Sequence, residues 1–270
     1  MPASVPRAAG RTVFGRDPGA YARARLPYPE RVYEVLESRC GLRPGTAVFE
    51  IGPGTGIATR ELLRRGAMPL TAVEPNRRLA SYLECSLGHD RARVRILRQP
   101  FERATLPPAS FDLGVAATSF HWLPERTALR RVARALRPGG WWAAWWAHHG
   151  DPHRTSAFHE SLQPLYEHLE GRPTSKESAR QRQARTRRGR ILALESTGTF
   201  DRIRYEYIHW NVTLSTERVT ALWGTFSDIL ILPPKQRAWF LSELARIADE
   251  QFHGSVTFPG LTPLLTARRV

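Results

Sequence analysis

Through its first half the chain alternates short apolar runs with longer segments in which apolar residues recur every three or four positions. Short runs bounded by Gly, Pro and polar clusters read as strands, and the longer periodic segments as helices. The pattern predicts strands at 47–52, 70–73, 94–97 and 111–116, and helices at 55–65, 77–87 and 126–136. Ile57, Ala58, Leu62 and Leu63 supply the apolar side of the first helix. The last helix is expected to stop at Pro138-Gly139-Gly140. A fifth strand follows at 141–147, with Trp141 and Trp145 on one face and Trp142 and Trp146 on the other. A strand apolar on both faces belongs inside a sheet covered on both sides. Strands alternating with helices in this way define an α/β protein with a largely parallel sheet.

From His148 to Thr199 the short rhythm breaks. A helix is expected at 157–169, and a basic stretch continues helically toward Leu194. A long strand at 200–212, helices at 216–229 and 234–252, and a last strand at 256–267 complete the pattern. This organisation reads as a single domain over 1–270. Within it, 1–40 forms an N-terminal lid, 41–147 the cofactor-binding core, 148–199 a substrate cap, and 200–270 the C-terminal part of the core.

Composition narrows the setting. The 270 residues are 41% hydrophobic and include 8 Trp, 7 Tyr and 11 Phe, which argues against disorder. The apolar run at 141–147 is too short to span a bilayer. No charged segment followed by an apolar one opens the chain, and Cys40 and Cys85 form no CxxC pair. The expectation is a cytoplasmic protein with no membrane partner. The formal charge is +15. The stretch from Gly171 to Arg190 carries eight basic residues and one acidic residue, +7 of that total. Such a field attracts nucleic acid, an acidic carrier or an anionic small molecule. A solvated helix face in an Arg-rich chain explains it as well. No separate RNA module or aromatic-basic interleaving is visible.

The sharpest motif is Val48-Phe49-Glu50-Ile51-Gly52-Pro53-Gly54-Thr55-Gly56, where a strand ends, a tight glycine turn follows and a helix begins. Glu74 ends the next strand, 22 residues after Gly52, where a carboxylate can accept from two ribose hydroxyls. A nicotinamide fingerprint needs glycines at the first, third and sixth places. Counted from Gly52 the sixth place is Ile57, and the third glycine, Gly56, comes one position early. Glu50 also puts negative charge beside the loop, awkward for a pyrophosphate but suited to a sulfonium amino acid.

With these residues the chain resembles the class I methyltransferases, in particular the small-molecule branch that includes trans-aconitate methyltransferase-like enzymes. The resemblance runs through residues 14–29, 50–56, Glu74-Pro75-Asn76, 99–102, Phe111-Asp112, 119–122 and 136–140. It implies a Rossmann-like seven-stranded sheet of order 3-2-1-4-5-7-6, its last strand antiparallel, with helical cap insertions. It also implies S-adenosylmethionine as cofactor and S-adenosylhomocysteine as product. Glu50, Gly52, Gly54 and Gly56 would then line the methionine side and Glu74 the ribose. Asn76 would lie near the adenosine, and Phe101 and Glu102 would frame the adenine. Asp112, just ahead of the fourth strand's apolar run, reads as structural.

Ser119-Phe120-His121-Trp122 lies beyond the fourth strand, at the edge where ligands bind in open α/β sheets. Ser119 is placed with the cofactor residues and Trp122 with the acceptor. His121 is the candidate catalytic residue, either deprotonating a hydroxyl or amine or orienting the loop. Tyr21, Arg25 and Tyr28 belong to the lid, and His148, Trp210 and Trp223 are further acceptor-side candidates. His149 shares the end of the fifth strand with His148. No compact set of ligands makes a metal site. The function expected is methyl transfer to an oxygen or nitrogen of a small molecule, with a slight preference for oxygen. The alternatives are an RNA or protein methyltransferase using residues 171–190, or a cofactor-binding protein without catalysis.

Overall fold

The computed structural model describes residues 14–169 and 178–270, so 171–177 of the basic stretch lie outside the described residues. Strands β1 (Val48–Ile51), β2 (Leu70–Val73), β3 (Val94–Leu97), β4 (Phe111–Ala117), β5 (Leu136–Trp145), β6 (Phe200–Ser215) and β7 (Ser255–Arg269) form one sheet of order β3-β2-β1-β4-β5-β7-β6. Pairing is parallel from β3 across to β5, and β7 runs antiparallel to β5. This is the expected Rossmann-like arrangement, with β1 central and β4 beside it.

Two compact units divide the chain. The first comprises 27–147, 184–208 and 262–270. Its helices are α2 (Glu30–Ser38), α3 (Ile57–Arg64), α4 (Arg77–Ser86), α5 (Glu125–Ala135) and most of α7 (Ala179–Glu195). Strand alternation sends successive side chains into two cores. Val48, Leu70, Leu113 and Trp145 pack with Leu36 of α2, Leu62 of α3 and Leu83 of α4. Phe49, Ile51, Trp142 and Trp146 pack with Leu129 and Val132 of α5 and Leu194 of α7. Each buried aliphatic side chain contributes about 1.5–3 kcal/mol, so these two faces dominate the unit's stability.

The described residues of the second unit are 14–26, 148–169, 178–183 and 209–261. They hold α1 (Pro18–Ala24), α6 (Ala157–His168), α8 (Thr216–Trp223), α9 (Ser227–Leu230) and α10 (Pro234–Phe252). Phe158, Leu162, Trp223, Phe240, Leu244 and Phe258 form its core. In this division 27–40 and 184–199 cluster with the sheet, and 209–261 with the segment after β5.

Three boundaries also differ. Helix α5 ends at Ala135, ahead of Pro138-Gly139-Gly140, because Leu136 is already extended and pairs with Phe111. The pairing then slips in register between Phe111 and Leu113, so β5 carries the proline and glycines inside an irregular strand. The single helix expected at 216–229 is divided at Gly224 into α8 and α9. Helix α2 lies inside the segment expected as a lid. It follows Pro27 and Pro29 and buries Val32, Tyr33, Val35 and Leu36 at helical spacing.

Candidate functional site

In the first unit the turn after β1 places Gly52, Gly54 and Gly56 at φ values of 65°, 59° and 86°. At Gly52 a Cβ would lie 2.6 Å from the Cβ of Ser119, so a glycine is required for space as well as conformation. The Ser119 hydroxyl donates to the Ile51 carbonyl and ties the end of β4 to this turn. Gly56 is the N-cap of α3, in the left-handed region, and a Cβ there would strike Leu83.

Glu74 closes the arrangement. Its Oε2 accepts from Gly54 N–H at 3.0 Å and its Oε1 from Asn76 N–H at 2.8 Å. Each oxygen keeps acceptor capacity for one more donor. Burial pushes the carboxyl up to about 7, against the opposing pull of the Asn76 and Gly54 N–H groups. Glu50 is fully enclosed, and its Oε2 accepts from the Thr59 hydroxyl at 2.6 Å. Its Oε1 has no hydrogen-bond partner among the described residues. Burial raises this carboxyl to about 7 as well; the Thr59 hydroxyl opposes the shift and the charge of Glu74 adds to it.

On the expected adenine side each residue has a structural partner or setting. Asn76 caps α4, its Oδ1 accepting from Arg78 and Leu79 N–H. Phe101 is a core ring, stacked on Phe49 with centroids 6.3 Å apart. Glu102 is half-buried. Asp112 accepts from Ala47 N–H at 2.9 Å and pairs with Arg137, the structural role expected.

Beyond β4, His121 sits on a 3₁₀ turn spanning Phe120–Trp122. Its Nδ1 lies 3.2 Å from Trp146 Nε1. An indole N–H only donates, so Nδ1 accepts and the neutral imidazole carries its proton on Nε2. In that tautomer Nε2 is a donor. Its ring lies against Trp122, centroids 4.6 Å apart.

Sequence reasoning missed Thr118. This residue directly follows β4 with φ 52°, an outlier for a β-branched residue. Its hydroxyl accepts from Ala147 N–H at 3.1 Å and from Tyr28 OH at 3.0 Å, joining the ends of β4 and β5 to the segment before α2. Tyr28 also meets Trp145 edge-on. Arg190 was expected among solvated arginines, yet its guanidinium lies 3.3 Å from the ring centroid of Trp146. Burial holds its pKa below the usual value. No sequence signal separated it from its exposed neighbours Arg187 and Arg188.

Within the second unit, Tyr21 and Arg25 pack together. His148 is exposed and joins Leu261 through a backbone bridge. Trp210 lies where Gly260 has no side chain; a Cβ there would be 2.2 Å from its ring. Trp223, an expected acceptor-side residue, lies in the unit's core: it is 1% exposed, and its indole donates to Tyr166 OH at 3.0 Å. Among the described residues no helix is long and apolar enough to cross a membrane.

Residues 49–144 match the methyltransferase domain family. An uncharacterized methyltransferase of Mycobacterium tuberculosis is 34% identical over 127 residues, covering 47% of this chain and 49% of that protein. The Aspergillus fumigatus methyltransferase tpcM is 36% identical over 132 residues, covering 46% and 39%. The alignments thus span about half the length or less of these relatives. Among solved structures, a putative type II methyltransferase from Anaeromyxobacter dehalogenans superposes with TM-score 0.62 at 20% identity, over 91% of this chain and 97% of that one. That likeness concerns the fold. The matched residues run from β1 into β5, and the sheet that holds them has the strand order of the class I methyltransferase fold.

Proposed function

We propose that the chain binds S-adenosylmethionine and transfers its methyl group to an oxygen or nitrogen of a small molecule, with oxygen preferred. The observation that carries this reading is the Glu74 carboxylate, buried at the end of β2 and clasped by Gly54 and Asn76 N–H groups beside three left-handed glycines. The remaining lone pairs on Glu74 suit a vicinal diol, and the enclosed charge of Glu50 suits a neighbouring cationic amino-acid group. When bound, the cofactor supplies an electrophilic methyl group on a sulfonium. Gly52, Gly54 and Gly56 let backbone approach it closely, and Ser119 holds the end of β4 against their turn.

An acceptor that arrives ionised needs alignment more than deprotonation, and positioning alone supplies roughly 7–11 kcal/mol in favourable cases. The Trp146 hydrogen bond to His121 supports that route. With its Nδ1 occupied, the neutral imidazole presents Nε2–H, which can donate to an acceptor oxygen but cannot take its proton. We therefore assign His121 an orienting role toward an oxygen acceptor, and the carboxylate oxygen is the acceptor this favours. The reading keeps the chain with the small-molecule enzymes resembling trans-aconitate methyltransferase, acting in the cytoplasm.

The test is incubation with a labelled methyl donor and separate small-molecule, RNA and protein fractions, alongside calorimetric titration with S-adenosylmethionine and S-adenosylhomocysteine. Label in the small-molecule fraction is expected. Label in RNA alone would replace this reading with the nucleic-acid one, and binding without transfer to any fraction would leave a cofactor-binding protein.

A further inference from the structure

Among the described residues of the second unit, Arg25 is a cation without a counterion. Arg25 is the C-cap residue of α1, and its guanidinium lies 5.0 Å from the ring centroid of Tyr21 and 5.3 Å from that of Phe226. One N–H group, on Nη2, donates to the Thr225 carbonyl at 3.0 Å. Its Nε is enclosed and has no hydrogen-bond partner among the described residues. No described carboxylate pairs with it. The contrast with Arg65 is informative. That enclosed guanidinium is matched by Glu30, Glu37 and Glu61. A half-buried charge held between aromatic rings is costly unless an anion answers it.

His149 stands beside it. Its ring is 5.0 Å from Phe226 and 5.9 Å, edge-on, from Trp210. Burial pulls its pKa down to about 3, and Arg25, His148 and His159 act in the same direction. Every charged or titratable group acting on it is thus cationic or neutral; no carboxylate is among them. The neighbouring acid, Asp151, is occupied by His209 and by His153 N–H. His159 supports the His149 backbone. Its Nε2–H donates to the His149 carbonyl at 2.6 Å, while its Nδ1 takes the Ser156 hydroxyl at 2.8 Å. The neutral His149 ring offers one further N–H.

We propose that Arg25 and His149, walled by Tyr21, Phe226 and Trp210, form a binding subsite for an oxyanion carried on a flat apolar body. Arg25 supplies the charge and N–H donors, His149 adds a neutral donor, and the rings take the body of the ligand. The carboxylate is the expected oxyanion, because one guanidinium and a neutral imidazole offer a single positive charge. The subsite lies wholly within the second unit, so its failure would leave cofactor binding by the first unit untouched.

Calorimetric titration of the whole chain with benzoate, phenyl phosphate and benzyl alcohol tests it. Benzoate should bind, phenyl phosphate should bind no more than a few times differently, and benzyl alcohol at least tenfold more weakly. Arg25→Gln should weaken benzoate at least tenfold. His149→Phe, which keeps a ring against Phe226, should weaken it severalfold. Thermal unfolding identifies variants that have lost their fold. If Arg25→Gln unfolds, Arg25→Lys serves instead; it keeps the charge and should lose less than Gln but more than His149→Phe. Preference for phenyl phosphate over benzoate by tenfold would reassign the ligand as a phosphate monoester. Equal affinity for benzoate and benzyl alcohol, or benzoate affinity indifferent to both substitutions in folded protein, would overturn the proposal.

Discussion

Glu74→Gln should separate the cofactor site from its scaffolding, and pH is the variable that exposes it. In the free protein the Glu74 carboxyl is raised to about 7 by burial. Its ionised form has two oxygens, each already accepting one backbone N–H, at 3.0 and 2.8 Å. A ribose diol needs the two lone pairs that remain, so protonation removes an acceptor the ligand uses. The sign follows directly: below about pH 7 the ligand must displace a proton from Glu74, and affinity falls as pH falls. For one proton the slope approaches tenfold, or about 1.4 kcal/mol, per pH unit. Above that pH affinity is level. The amide of Glu74→Gln can accept one N–H but sets its own NH₂ against the other, and it carries no charge. Loss of charge-assisted contacts to two hydroxyls corresponds to roughly 3 kcal/mol, more than a hundredfold in Kd. Titration with S-adenosylhomocysteine from pH 5.5 to 8.5 should therefore give a rising curve for the wild type. The variant should give weaker binding with about one proton less of pH dependence, any remainder arising from Glu50. Equal affinity and an identical pH profile in a folded variant would refute the assignment of Glu74 to the ribose.

His121→Gln keeps an amide donor near the Nε2 position and should retain most turnover, whereas His121→Ala should lose turnover with cofactor affinity unchanged. A loss in Gln as large as in Ala, with an ascending limb vanishing from the pH–rate profile, would restore the base role. Gly52→Ala forces a Cβ against Ser119 at a positive φ, so thermal unfolding should show a loss of about 1–3 kcal/mol alongside weakened cofactor binding. Unchanged stability would mean the turn relaxes freely. Neutralising Arg182, Arg185, Arg187 and Arg188 together should leave transfer to a small acceptor largely intact. RNA binding whose salt dependence flattens in that variant, with methylation of RNA, would overturn the small-molecule reading. Glu50→Gln should reduce the loss of stability with rising pH, leaving the part that Glu74 contributes. The raised carboxyl makes the wild type lose stability as pH rises from about 4.5 through about 7, by up to roughly 3 kcal/mol, and denaturant unfolding across that range measures it.

The chain's linear pattern determined the sheet. Runs at Val48–Ile51 and Leu70–Val73 are short, buried throughout and closed by turn residues, and Val94–Leu97 at the sheet's edge buries Val94 while exposing Arg95, so local pattern and burial agree there. The glycine turn and Glu74 were legible for the same reason: a left-handed turn between strand and helix favours glycine, and a strand's end is visible from its pattern. Tertiary structure decided which side chains are free to act. Asn76 caps a helix, and Phe101 and Trp223 lie in packed cores, partnerships that no linear pattern shows. The acceptor on His121 is taken by Trp146, 25 residues away, and that fact alone sets its tautomer. Arg190 and Arg188 look alike in sequence, and only one meets a tryptophan face. Thr118 is bent into a left-handed conformation at a junction of three segments, which no local propensity records. Local pattern specifies backbone elements because propensity and burial act over a few residues. The protonation, pairing and exposure of a side chain depend on partners that the chain brings together only on folding.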